Sequence, residues 1–268
     1  MKKTKLIKAL EFALTLKRPY GGTGEKALLQ YVADNVGLPY EFDNAGNLHI
    51  DNTQDQSSTL FVAHADTVHR EDGVNIINHA RGRYYAGINA PLGADDGAGV
   101  ALLVHLLENN VKGYYLFTVG EEVGGIGARH VASDYLLLEY FDRAIAFDRR
   151  GTSDVITHQG FGRCCSDEFA EALCDQLNNL GLLYMPSDAG VYTDTAEFTD
   201  IISECTNISV GYLNEHRKEE TLNLPHYMAL ASAVVAIDWE GLPTYRDPLE
   251  DGVYGVELID AWEGRTWH

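Results

Sequence analysis

Basic residues are scarce: the 268-residue chain carries 20 Lys and Arg against 40 Asp and Glu, a net charge of −20 at neutral pH. Such a chain repels phosphate, which argues against nucleic acid as a partner. No apolar run approaches 18 residues, so no membrane span is expected. The opening stretch has lysines beside apolar residues, as a secretory leader does. However, Lys8, Glu11 and Lys17 interrupt it and no small-residue cleavage site follows, so it reads as an amphipathic first helix. Cysteine is sparse. Cys164, Cys165, Cys174 and Cys205 form no C-x-x-C pair, and the adjacent Cys164 and Cys165 cannot easily bridge one another. Reduced thiols in a cytoplasmic protein are expected, and a cysteine-ligated zinc is not. There is no Ser or Cys nucleophile elbow, internal repeat, low-complexity tract or linker.

What is present is a globular composition, 45% hydrophobic and 22% charged, long enough for one large α/β domain with a substantial core. Helical and strand-like segments alternate. Helices are predicted over 4–17, 24–36, 98–109, 124–136 and 166–181, with a long closing helix inside 220–239 despite Pro225. Strands are predicted over 47–50, 58–64, 113–120, 143–148, 154–158 and 207–213. Short apolar strands alternating with helices predict a mixed, mainly parallel sheet covered on both faces. The tail from Pro243 has little periodicity and is expected to pack across the surface.

Ligands in such a sheet sit beyond the carboxyl ends of its strands. His64 and Asp66 follow "LFVA", Glu121 and Glu122 follow "YYLFTVG", and Asp148 follows "RAIAF". His216 lies a few residues after "NISVGY", and the loop "GINAPLGADDGAG" adds Asp95 and Asp96 just before a helix. One such residue alone says little. Together they put two imidazoles and several carboxylates on one edge. That donor set suits two borderline divalent ions such as zinc and not an all-oxygen calcium site. A metal pair needs a carboxylate between its members to screen their repulsion.

The series "HADTV", "GADDGAG", "GEEVGG", "AFD" and "SVGYLNEHRKEETL" resembles the motifs of the co-catalytic dinuclear zinc exopeptidases, from the bacterial leucyl-type aminopeptidases to the peptidase T, aminoacylase and carboxypeptidase relatives. The resemblance runs over about residues 60–222 and implies a three-layer α/β fold with two metal ions. It implies His64, Asp95 and Asp148 on one metal, and Asp95, Glu122 and His216 on the other. Glu121 would be the general base, and Asp66 the carboxylate that orients His64. It also implies a cis peptide between Asp95 and Asp96.

The chain departs from the peptidase T and carboxypeptidase branch in having only 67 residues between Asp148 and His216, which read as more sheet and helix. A single catalytic domain over 1–268 without a lid or dimerisation insertion is therefore expected. The closing "H-x-x-x-[DE]-T-L" pattern, His216 with Glu220, Thr221 and Leu222, points to the leucyl-type branch, while "HADTV" leans toward peptidase T. The implied activity is a metallopeptidase hydrolase that removes N-terminal residues from peptides. An N-acyl amino acid or small-amide deacylase is the alternative at the same site, and a glutaminyl cyclase or a non-catalytic binding relative fits less well. Asp194 and Glu197 fall where relatives line the substrate pocket. Arg149 and Arg150 are read as surface or supporting arginines, and His226 is the rival to His216. Oligomeric state is left open.

Overall fold

Thr59–His64 is buried at every position, and its alternation builds two cores at once. Phe61 and Ala63 point to one face of the sheet, into a cluster with Ala101, Phe117, Phe147 and Trp239. Leu60 and Val62 point to the other, against Leu116, Ala128, Ala144 and Phe198. A strand read as a continuous apolar run is one buried on both faces, as the parallel arrangement requires. The computed structural model describes residues 4–87, 89–160 and 162–250.

Among the described residues the main sheet has eight strands in the order Met185–Ser187, Asp154–Ile156, Glu204–Ser209, Arg143–Arg149, Thr59–His64, Tyr114–Thr118, Leu48–Asp51 and Glu41–Phe42. Its central members, from Glu204–Ser209 through Tyr114–Thr118, pair parallel to one another. Leu48–Asp51 and Glu41–Phe42 add on antiparallel, so the sheet is mixed and mainly parallel, as the sequence predicts. Helices α1 (Lys5–Leu14), α2 (Thr23–Val36), α3 (Ala94–Glu108), α6 (Asp167–Asn179) and α7 (Leu224–Val234) contribute to the larger core. Helices α4 (Ile126–Ala132) and α5 (Tyr135–Leu138) contribute to the smaller one. The four cysteines are free and buried.

Several predicted boundaries move, each for a local reason. The first helix stops at Leu14, because Leu16–Lys17 pairs with Gly73–Val74 instead of continuing the spiral. The helix over 124–136 divides at Ser133 and Asp134, where Ser133 caps the carbonyl of His130. The strand over 207–213 is two: Glu204–Ser209 stays in the main sheet, and Tyr212–Leu213 crosses into a smaller one. The closing helix begins only at Leu224, with Pro225 in its first turn where a missing N–H costs nothing. Thr221–Asn223 before it is a strand of the smaller sheet, paired with Arg83–Ala86. That four-stranded sheet, including the Ile77–Ala80 and Arg83–Ala86 hairpin, is absent from the sequence prediction. Of the tail, Tyr245 and Arg246 hold to Glu204 through their backbone amides, and residues from 251 on lie outside those described.

Candidate metal centre

The parallel strands end on one edge, and each delivers polar residues there. His64 is the last residue of its strand, with its side chain 1% exposed. Its backbone N–H donates to Asp96 Oδ2 at 3.2 Å, which ties the strand end to the start of α3. That start is irregular: Asp95 and Asp96 lack helical dihedrals, and the peptide between them is cis, as the resemblance implies. Gly93, at φ 76°, turns the chain into the helix in a left-handed conformation that a residue with a Cβ adopts at a cost. The buried Glu220 carboxylate then accepts from the amides of Gly93, Ala94 and Asp95 at 3.0, 2.8 and 3.1 Å.

The Asp95 carboxylate lies between two imidazoles. Oδ1 is 3.1 Å from His64 Nε2, and Oδ2 is 3.0 Å from His216 Nε2. Glu122 Oε2 also stands 3.0 Å from His216 Nε2. Asp148 Oδ1 is 3.7 Å and Glu121 Oε2 is 3.9 Å from His64 Nε2. Asp148 is held from several sides. Its backbone exchanges hydrogen bonds with the Asn207 side chain, each of 2.8 Å. Its carboxylate accepts from the Tyr212 hydroxyl at 2.9 Å and from the Thr193 hydroxyl at 2.8 Å. His216 reaches the cluster from a loop where its own φ is 64°.

Asp66 stands 3.4 Å from His64 Nδ1, longer than an ordinary hydrogen bond. Its firmer contacts are with the amides of Glu121 and Glu122, at 3.0 and 3.2 Å. It therefore fixes the turn that presents both glutamates, a role its place in the motif does not reveal. All seven residues of the predicted set thus meet at one place. His226 does not join them: it lies in α7 with Nε2 3.0 Å from the Tyr184 hydroxyl. Arg149 and Arg150 line the cavity over the cluster, but they face Asp154 at 3.1 Å and Glu215 at 2.9 Å. Glu197 binds Tyr192 and Arg129 near the rim. Asp194 is buried below, accepting a short hydrogen bond from the Thr118 hydroxyl.

The charge balance is lopsided. Burial pushes Glu121 up to about 9 despite His64, with Asp148 and Asp194 adding to the rise. Burial and Asp95 raise Asp148 to about 6 against the pull of His64, and burial lifts Asp194 to about 7. Hydrogen bonds to Asp95 and Glu122 hold the His216 imidazolium up to about 11. Of the clustered carboxylates Asp95 moves down, because both imidazoles outweigh its burial. Among the described residues, the fixed cation beneath the cluster is Arg18, buried and donating to the carbonyls of Ala65, Gly93 and Ala13. Nothing in the sequence signals that Arg18 would be buried here.

Among the described residues, the donor atoms of Asp95, Glu122 and His216 lie within 4.8 Å of one another. So do those of His64, Asp96 and Asp148, and of His64, Glu121 and Glu122. Asp95 Oδ1, at 3.1 Å, is nearer His64 Nε2 than Asp148 Oδ1 is at 3.7 Å, so the group around His64 adds Asp96 to the implied set. Buried His64 Nδ1, Glu122 Oε1 and Asp194 Oδ1 have no hydrogen-bond partner among the described residues. Massed carboxylates, paired imidazoles and orphaned polar atoms all fit a site for cations, since a buried surplus of like charge is otherwise costly. The cavity above encloses about 310 Å³ and is lined further by Gln159, Val191 and Tyr192.

No protein-family model matches the chain, and no curated protein matches it in sequence. Solved structures do. The aminopeptidase PepT from Bacillus cereus aligns with a TM-score of 0.74 at 16% identity, over 88% of this chain and 98% of that one. A tripeptidase from Staphylococcus aureus aligns at 0.71 and 16% identity, over 88% and 97%. A Pyrococcus horikoshii TET1 peptidase, which can assemble into a tetrahedron or a large octahedral shell, aligns at 0.70 and 17% identity, over 88% and 99%. The resemblance read from the motif series therefore extends to the backbone: this chain has the fold of these solved peptidases.

Proposed function

We propose that the protein is a dinuclear metallohydrolase of peptide amide bonds, an aminopeptidase that removes N-terminal residues. The observation that carries this reading is the Asp95 carboxylate, with one oxygen 3.1 Å from His64 and the other 3.0 Å from His216. A carboxylate so placed would be shared between two cations. His64 and Asp148 would complete one ion's protein donors, and Glu122 and His216 the other's. Mixed nitrogen and oxygen donors favour zinc. When bound, the two ions would supply Lewis acidity toward the scissile carbonyl and make water a stronger acid.

The remaining chemistry belongs to the chain. Glu121 lines the cavity beside the donors and is the candidate general base. It takes the proton of the attacking water as oxygen bonds to the carbonyl carbon. It returns that proton to the nitrogen as the C–N bond breaks. Its elevated pKa suits holding a proton, and bound cations would bring it down toward the working range. Asp66 keeps Glu121 and Glu122 aimed apart by binding both their amides, and it is the nearest acceptor for a proton on His64 Nδ1. The acidic cavity suits a free α-ammonium group. The reading takes the chain as one catalytic domain, since strands Asp154–Ile156, Met185–Ser187 and Glu204–Ser209, between Asp148 and His216, extend the sheet.

The test is zinc-loaded protein against a panel of free peptides, N-acyl amino acids and N-blocked peptides. Release of N-terminal residues from free peptides is expected. Preferred cleavage of N-acyl amino acids would replace this reading with the deacylase, and trimming of blocked peptides from the C-terminus would overturn it.

A further inference from the structure

A second cavity adjoins the first, and His216 belongs to the walls of both. It encloses about 580 Å³, within the roughly 300–1,000 Å³ typical of small-ligand sites. Its lining is opposite in character. Lys17, Arg70 and Lys218 contribute cations, with Glu71 the one carboxylate among them. Lys17 is matched by Glu71 at 2.7 Å, and among the described residues Lys218 has only a loose contact with Glu219 at 3.8 Å. Arg70 is exposed and makes no hydrogen bond or ion pair among the described residues. His69 adds no charge: burial and Arg18 push it down to about 4, with Nε2 3.1 Å from the Pro91 carbonyl.

This polarity needs a reason, because a chain of net charge −20 repels anions over most of its surface. An acidic cavity and a cationic cavity meeting at a candidate metal donor complement a molecule with an ammonium at one end and a carboxylate at the other. We propose that the cavity bounded by Arg70 and Lys218 is a carboxylate subsite on the leaving-group side of the scissile bond. The inference rests on the aminopeptidase reading. The carboxylate is the C-terminal one of a di- or tripeptide, or an acidic side chain of the leaving residue, and these two sources are separable.

The experiment compares KM for Ala-Gly-Gly, Ala-Gly-Gly-amide and Ala-Asp-Gly-amide with zinc-loaded wild type and an Arg70→Gln/Lys218→Gln double variant. In wild type the free acid is expected to have a KM about tenfold below its amide, the effect of one charge-assisted hydrogen bond. In the double variant the ratio falls toward one. A low KM for the Asp amide, also lost in the variant, assigns the subsite to a side chain. Equal KM values in wild type, or a ratio that survives the double substitution, would overturn the subsite. If no peptide is cleaved the aminopeptidase reading fails, and calorimetric binding of the intact acid and amide decides the subsite by the same ratios.

Discussion

The two ends of the same sheet treat buried charge in opposite ways. At the amino end, Arg143 and Glu204 start neighbouring strands in register, and both are matched. Arg143 donates to Glu240, Ser58, Thr59, Thr244 and the Leu242 carbonyl, leaving only Nε without a partner. Glu204 accepts from Ser166 twice and from the amides of Tyr245 and Arg246. At the carboxyl end, among the described residues, carboxylates outnumber cations and polar atoms of His64, Glu122 and Asp194 are orphaned. One end is resolved within the chain and therefore reads as architecture. At the other, among the described residues, buried carboxylates and an imidazole keep unpartnered atoms, and it therefore reads as a candidate site.

The sharpest way to break this contrast is Glu121→Gln. Glutamine is nearly isosteric and can still hydrogen-bond water, but it cannot accept a proton or return one to the leaving amine. Turnover should fall by about 10²–10⁴ while metal content and urea midpoint stay near wild type. Glu122→Gln should instead weaken one metal, with activity partly recovered by excess zinc. Loss of metal from the Glu121→Gln protein, with retention in the Glu122→Gln protein, would exchange the two roles.

At the amino end the prediction inverts. Arg143→Ala removes one side of a buried pair and should destabilise the fold by about 3 kcal/mol, the lower part of the range for such pairs because Glu240 stays partly solvated. Metal content and kcat of the folded fraction should hold. Urea denaturation beside metal analysis checks this, and an Arg143→Ala protein with normal stability but lost metal would dissolve the distinction between the ends.

The pH response sharpens it further. Asp148, Asp194 and Glu121 have folded-state values of about 6, 7 and 9, above their ordinary ones. A carboxyl raised on folding binds more protons in the native state, so metal-free protein loses stability as pH climbs from about 4 toward 9. His216, raised to about 11, acts in the same direction: its contribution is present below its ordinary value and fades as pH approaches 11. Asp95, lowered, opposes this only at the acid extreme, where stability falls as it protonates. In chelator the urea midpoint should therefore decline from pH 5 to pH 9. With zinc it should rise over the same range, because deprotonated donors bind the cation. Parallel curves would mean that the carboxyl end holds no metal.

The part of this contrast legible in the sequence is the part encoded within a single segment. An apolar run followed by a polar pair, as in residues 60–66 and 114–122, states both the strand and what lies at its end. What is illegible depends on distant partners. Arg18 looks like any arginine after a helix until Ala65 and Gly93 close around it. Thr221–Asn223 is drawn out of the predicted closing helix by register with Arg83–Ala86, and that hairpin is too exposed to show a hydrophobic pattern. Asp66 reads as a partner of His64, yet its closer contacts are amides more than fifty positions away. Pro225 resists reading for a different reason: whether a proline breaks a helix or begins one depends on where the helix starts.

The smallest expected effect pairs one hydroxyl at each end. Tyr212→Phe deletes the donor to Asp148 Oδ1 and leaves the Thr193 hydroxyl on Oδ2. The ring stays buried, so the packing is kept, and the lost hydrogen bond was made to a charged group. The carboxylate keeps one anchor and its Asn207 backbone clasp, but it gains freedom to rotate. Supporting contacts of this kind are worth about 10–100-fold in metal affinity. Because one anchor remains, about tenfold is expected, and for one metal only. Ser166→Ala at the other end removes the cap of α6, bonded to Phe169 N at 3.1 Å, and a donor to Glu204. It should cost about 1 kcal/mol of stability and nothing in metal affinity. Competition with a zinc chelator and urea denaturation, run on both variants, give four numbers. If Tyr212→Phe moves stability but not the affinity of either metal, Asp148 is not a ligand and the first metal's donors must be sought among His64, Asp96 and Glu121.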